Sequence, residues 1–168
     1  MQKTLGDEIV TLLGVSESDD RMLDLFEKLG VDRNEFERDE DDGAFWVELE
    51  EEMGLELEFS DAVPKKLKDP QYIGGQYLVD ITFYENCTFF PYGLRKEDSL
   101  TIVEEKINKK ANYMSAEDDS ILQWIYEDIG DLGIDFKDNT YKNMEGMGVS
   151  LYANPTKTSK KYILPFTR

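Results

Sequence analysis

Carboxylates dominate whatever chemistry this sequence can offer. Between Asp32 and Asp61 stand 14 acids and 2 bases, centred on the stretch ERDEDDGAFWVELEEEMGLELEF from Glu37 to Phe59. Two carboxylates can act as the acid and nucleophile of a glycosidase, but with 37 acids in 168 residues no pair is singled out. The run RDEDDG suggests a calcium loop. With Gly43 as its sixth position, the first ligand position falls on Arg38 and the twelfth on Leu49, neither of which supplies the oxygen such a loop requires. Histidine is absent, which removes Ser–His and Cys–His nucleophiles and the commonest metal ligand. Cys87 is the single cysteine, with no basic neighbour in sequence to activate it. No glycine loop between a strand and a helix could cradle a phosphate. The expectation is a protein without catalytic residues, metal or cofactor.

The elements that position these acids follow from hydrophobic period. In SESDDRMLDLFEKLG, Ser16 or Ser18 can cap a helix whose stripe is Met22, Leu25, Phe26 and Leu29, ended by Gly30. FWVELE and LELEF alternate strictly, which predicts two strands joined by a short turn, with Glu48 and Glu50 outward on one and Glu56 and Glu58 outward on the other. A strand-like YLVDITFYEN and the aromatic segment TFFPYGLR follow a Pro/Gly loop.

The second part of the chain has the same order. EDSLTIVEEKI offers Asp98 or Ser99 as cap and Leu100, Val103 and Ile107 as stripe, and is followed by ILQWIYED, DLGIDF, MGVSLYANP and YILPFTR. MLDLFEKL matches LTIVEEKI, GLELEF matches DLGIDF, ITFYEN matches VSLYAN, and FFPYGLR matches ILPFTR, each about 70–78 residues on. This predicts an internally duplicated helix–strand–strand–strand–strand unit, with repeats near 16–95 and 96–168. Two copies are too few for a solenoid. One α+β domain over residues 1–168 is expected, an antiparallel sheet with helices packed on one face; two domains side by side are the other arrangement.

Forty per cent apolar residues place the chain among globular proteins. A formal net charge of −18 disfavours direct contact with nucleic acid or an anionic membrane and favours a basic protein partner. The single cysteine and the lack of a signal-like apolar run or membrane span suit a soluble cytoplasmic protein. Asn86-Cys87-Thr88 reads as a chance glycosylation match.

The charge is uneven: up to residue 95 there are 24 acids against 9 bases, and beyond it 13 against 10. At the positions of Glu48, Glu56 and Glu58 the second repeat carries Ile125, Gly133 and Asp135, so this fold does not demand acid there. Like charges across an antiparallel pair also disfavour each other. Solvated residues protecting a sheet edge are the plain alternative. The candidate partner-binding residues are Asp39, Glu40, Asp41 and Asp42 of the loop, the acids Glu48, Glu50, Glu56 and Glu58, and Trp46 as an aromatic anchor.

The stretch YLVDITFYENCTFFPYGLRKEDSLTIVEEKI resembles small immunity proteins of bacterial polymorphic and contact-dependent growth inhibition toxin systems. Pro91, Tyr92, Gly93, Leu94, Asp98, Ser99 and Val103 carry the resemblance over some thirty residues; Ile107-Asn108-Lys109 stands where such patterns continue with Gly-x-Pro. The resemblance implies a cytoplasmic inhibitor that binds one cognate toxin domain, one to one. A basic nuclease toxin would present the positive surface such acids fit. An acidic secretion chaperone and a nucleic-acid mimic that blocks a DNA-acting enzyme share the same composition. In the chaperone case the partner would be an unfolded effector segment. In the mimic case the acids would follow a duplex-like line.

Overall fold

A computed structural model describes residues 3–63, 75–126, 130–151 and 163–167. Two amphipathic helices and eight strands carry the architecture. α2 (Asp20–Leu29) buries Met22, Leu25, Phe26 and Leu29, the stripe that the spacing predicts. Its cap is Asp19, whose carboxylate accepts the Arg21 N–H, and not Ser16 or Ser18. Ser16 is instead buried in an isolated bridge to Tyr77. Gly30, at φ 71°, turns the chain out of the helix, and Val31 N–H closes back onto Phe26 O. α4 (Leu100–Ile107) starts at Ser99, buries Leu100 and Val103, and leaves Ile107 half-buried. Two short helices were not expected: α1 (Leu5–Val10), held by a Thr4–Asp7 capping box, and α3 (Glu50–Met53).

The strands are β1 (Phe45–Leu49), β2 (Leu55–Ser60), β3 (Tyr77–Phe83), β4 (Tyr113–Ser115), β5 (Ile121–Tyr126), β6 (Gly130–Phe136), β7 (Met144–Leu151) and β8 (Ile163–Pro165). They form one antiparallel sheet in the order β1-β2-β3-β7-β6-β5-β4-β8. At its centre β3 meets β7, with Ile81 opposite Val149. The fold is therefore α+β, with an eight-stranded antiparallel sheet and four α-helices among the described residues.

The expected repeating unit does not reappear as written. The first part holds three strands and the second five. TFFPYGLR is no strand. Pro91 lacks an N–H, and Tyr92 and Gly93 both have positive φ (60° and 68°), so the segment turns where a ladder would need extended backbone. Its aromatics pack instead: Phe89 and Phe90 lie 6.3 and 6.2 Å from Phe83, centroid to centroid. Asp7 fixes the turn by accepting the Tyr92 N–H at 2.7 Å. Gly6 permits this approach, since a Cβ there would stand 2.1 Å from Phe89 O.

The main buried cluster lines the covered face of the sheet from β1 to β5. It joins Leu25 and Phe26 of α2 and Leu100 and Val103 of α4 to Phe45, Val47, Leu57, Phe59, Ile81, Phe83, Met147, Val149, Leu132, Ile134, Leu122 and Trp124. Strand residues between these alternate to the opposite face. Phe45 and Phe59 stack at 4.6 Å, Phe26 leans on Phe59 at 5.6 Å, and the Trp124 indole N–H donates to Lys109 O at the end of α4. No helix among the described residues is long and apolar enough to cross a membrane.

Candidate functional site

The face opposite the helices is built by the second register of the same alternation. One row runs Trp46–Glu58–Asp80–Ser150–Asp131–Ile125, each residue directly opposite the next on the neighbouring strand. The row beside it runs Glu48–Glu56–Thr82–Gly148–Gly133–Gln123–Tyr113. Asp135 lies in a third row, opposite Gly146 and Ile121. Six carboxylates thus share the face: Glu48, Glu56, Glu58, Asp80, Asp131 and Asp135. Among the described residues no strand of the sheet contains a lysine or an arginine. The middle is bare among the described residues, because a Cβ on Gly133 would meet nothing within 4 Å and one on Gly148 only Ile81 O at 3.8 Å. The result is a shallow trough with acids on both sides.

Burial first, and neighbouring charge second, raises the proton affinity of three of these carboxylates, Glu58, Asp80 and Asp135. Asp80 is pushed up to about 6, by burial first and then by the charges of Glu58 and Asp131, although Ser150 donates a hydrogen bond to it. Glu58 is raised by burial, with the Trp46 indole donating to it and Glu56 repelling it. Asp135 is raised by burial and by the neighbouring Asp118 and Glu145. The Tyr84 hydroxyl donates to Glu56 at 3.2 Å, and the phenol is itself pushed up by burial and by Glu56, Glu50 and Glu48.

The two bases of the acidic stretch do not neutralise it. Arg38 donates to both oxygens of Glu17, at 3.1 and 2.5 Å, and Arg33 donates at 3.4 Å. Glu17 is buried, also accepts the Gln76 N–H, and is held below the usual range by these partners despite its burial. Arg38 further lies 4.4 Å over the Phe45 ring.

Of the residues singled out from sequence, Trp46, Glu48, Glu56 and Glu58 come together on this face, and Trp46 is 45% exposed. Glu50 does not continue β1; it opens α3, because three successive glutamates at 50–52 followed by Gly54 at φ 70° favour a helical turn over an extended hairpin. The loop Asp39, Glu40, Asp41 and Asp42 is exposed but serves its own turn. Asp39 accepts the N–H groups of Asp41 and Asp42, and Asp42 accepts that of Ala44. Asp80, Asp131 and Asp135 were missed as site residues. Their signal was the same period of two, in YLVDITF and GDLGIDF, read for the core and not for the face behind it. The matched position of Glu48 also changes: Ile125 stands opposite Asp131, and the pair equivalent to Glu48–Glu56 is Gln123–Gly133.

Among the described residues no group of three or more His, Cys, Asp or Glu side chains is arranged to hold a metal ion. Cys87 is buried and its thiol is pushed up by that burial. No protein-family model matches the chain, and no curated protein or solved structure matches it.

Proposed function

We propose that this chain is a cytoplasmic, non-enzymatic immunity protein that binds a basic toxin domain, one to one, on the face of its sheet opposite the helices. The observation that carries the reading is that this face gathers six carboxylates and an exposed tryptophan on strands without a single base. Such a surface steers a positively charged protein and offers an aromatic anchor at its margin. A nuclease toxin supplies the matching charge, because it must bind phosphate.

The likeness between the two hairpins fits an ancestral duplication, supported by the order β1-β2-β3 followed by its reverse counterpart β7-β6-β5. On that account one repeat kept the charged face and the other lost part of it.

The test is to isolate the cognate domain from the native cell, identify it, and co-express it with this chain. Reversing Glu48, Glu56 and Glu58 to Lys is expected to abolish growth protection and to weaken binding at least ~100-fold, roughly 2.7 kcal/mol, with the far-UV circular dichroism unchanged. Unchanged protection by a folded triple variant would place the interface on another surface.

A further inference from the structure

β1 ends the sheet, and its free edge differs from the one at the other end. β8 is three residues long and finishes on Pro165, two devices that discourage further pairing. β1 has five residues, no proline, and an unbroken register with β2. Asp39 N–H donates to Ala44 O, which sets the phase of the strand: backbone groups of residues 44, 46 and 48 face the outer edge, and those of 45, 47 and 49 face β2. Among the described residues the start of the outer edge is met by the segment of Arg38 and Asp39, with Arg38 opposite Phe45 and Asp39 on Ala44 O.

Beyond that bridge the edge borders a groove of about 380 Å³. Its lining is divided by chemistry. Asp32, Glu35, Glu37 and Glu48 bring four carboxylates and no lysine or arginine lines it, while Val31, Phe36 and Val47 bring apolar surface. A strand added here would alternate its side chains. Those beside Trp46 and Glu48 would join the acidic face, and those beside Val47 and Leu49 would turn toward Val31 and Phe36.

We infer that this groove receives an extended segment of the protein partner as a ninth strand, one in which basic residues alternate with aliphatic ones. The inference rests on the proposed acidic interface and adds its mode of engagement. Backbone pairing supplies affinity, and the split lining selects the alternation.

The test uses a fluorescent peptide alternating lysine and valine, against a peptide of the same composition in two blocks. The alternating peptide is expected to bind at least ~10-fold tighter, a difference of roughly 1.4 kcal/mol, and to slow hydrogen exchange at the Glu48 amide. Glu48→Pro removes that outward N–H and leaves the ladder to β2 intact; read against Glu48→Gln, which loses the same charge and keeps the N–H, it alone should lose the ~10-fold preference. Should the proline variant fail to fold, amide protection in the unaltered protein decides. Equal binding of the two peptides, or protection at Asp80 and Asp131 without Glu48, overturns the inference. A partner still bound through the acidic face by a folded Glu48→Pro protein would sink this inference alone, whereas absence of any basic partner would sink the reading beneath it.

Discussion

The hairpins β1–β2 and β5–β6 present the same covered layer and different outer ones. Phe45, Val47, Leu57 and Phe59 in the first correspond in burial to Leu122, Trp124, Ile134 and Phe136 in the second. Outward, the first shows Trp46, Glu48, Glu56 and Glu58, while the second shows Gln123, Ile125, Asp131, Gly133 and Asp135. A sheet strand carries two independent messages on alternate residues. Here one message is held nearly constant and the other varies, so the acid of the first hairpin is not needed to build a hairpin.

If the covered layers are equivalent, breaking either should cost alike. Phe59→Ala and Phe136→Ala each remove a fully buried ring, and each is expected to lower stability by about 3–5 kcal/mol in urea unfolding. A loss confined to one of them would show that the second hairpin is appended to, and not part of, one cooperative core.

The outer layers should differ in their response to pH. Asp80, held at about 6 against its ordinary 3.8, binds protons more tightly folded than unfolded. Between those values the folded state carries more protons, so this group's contribution makes the protein more stable as pH falls from above 6 toward 4. Asp80→Asn keeps an acceptor for Ser150 and should raise stability at pH 8 by about 3 kcal/mol, with little gain at pH 4. Glu17 and Asp7 act in the opposite sense: lowered by their partners, they lose their stabilisation as pH falls through their folded values. Thermal melts from pH 8 to 3 should therefore pass through a maximum in the weakly acid range, and Asp80→Asn should flatten only its alkaline side. A wild-type profile with no fall in stability from pH 5 to 8 contradicts this.

The smallest effect concerns a single opposed pair. Glu48 stands directly across from Glu56, and Glu48→Gln should stabilise the protein by a few tenths of a kcal/mol at low ionic strength. The gain should vanish in molar salt, where screening reaches ~3 Å. The reverse substitution, Gln123→Glu, opposite the side-chain-free Gly133, should cost less than the Glu48–Glu56 opposition does.

Much of this was legible from period alone. The stripe of α2, both alternating hairpin strands and the segregation of helices to one face follow from where apolar residues recur. What was not legible has physical causes. Glu50 was read as strand because alternation continues through it, but Gly54 supplies the left-handed residue that lets EEEM close as a helical turn. TFFPYGLR was counted into the four-stranded repeating unit because it matches ILPFTR, although a proline and two positive-φ residues prevent pairing. The acidic face was seen as belonging to one hairpin, since sequence distance hides that β3 and β7 bring Asp80 and Asp131 into the same row as Glu58. The loop acids Asp39, Glu40, Asp41 and Asp42 were read as partner-binding residues, and the hydrogen bonding within their turn was invisible from sequence.

Glu17 sits far from the acidic face in role as well as in sequence, yet it shapes what a visitor would feel there. By binding Arg33 and Arg38, it works as an internal sink for the two bases that stand within the acidic stretch. A strongly negative exterior lasts only where neighbouring cations are kept from folding over it as counterions. These two are stored against a buried anion. Because Glu17 is held in its ionised form by those same guanidiniums, the store stays closed in mild acid, where Asp80 is already taking up its proton.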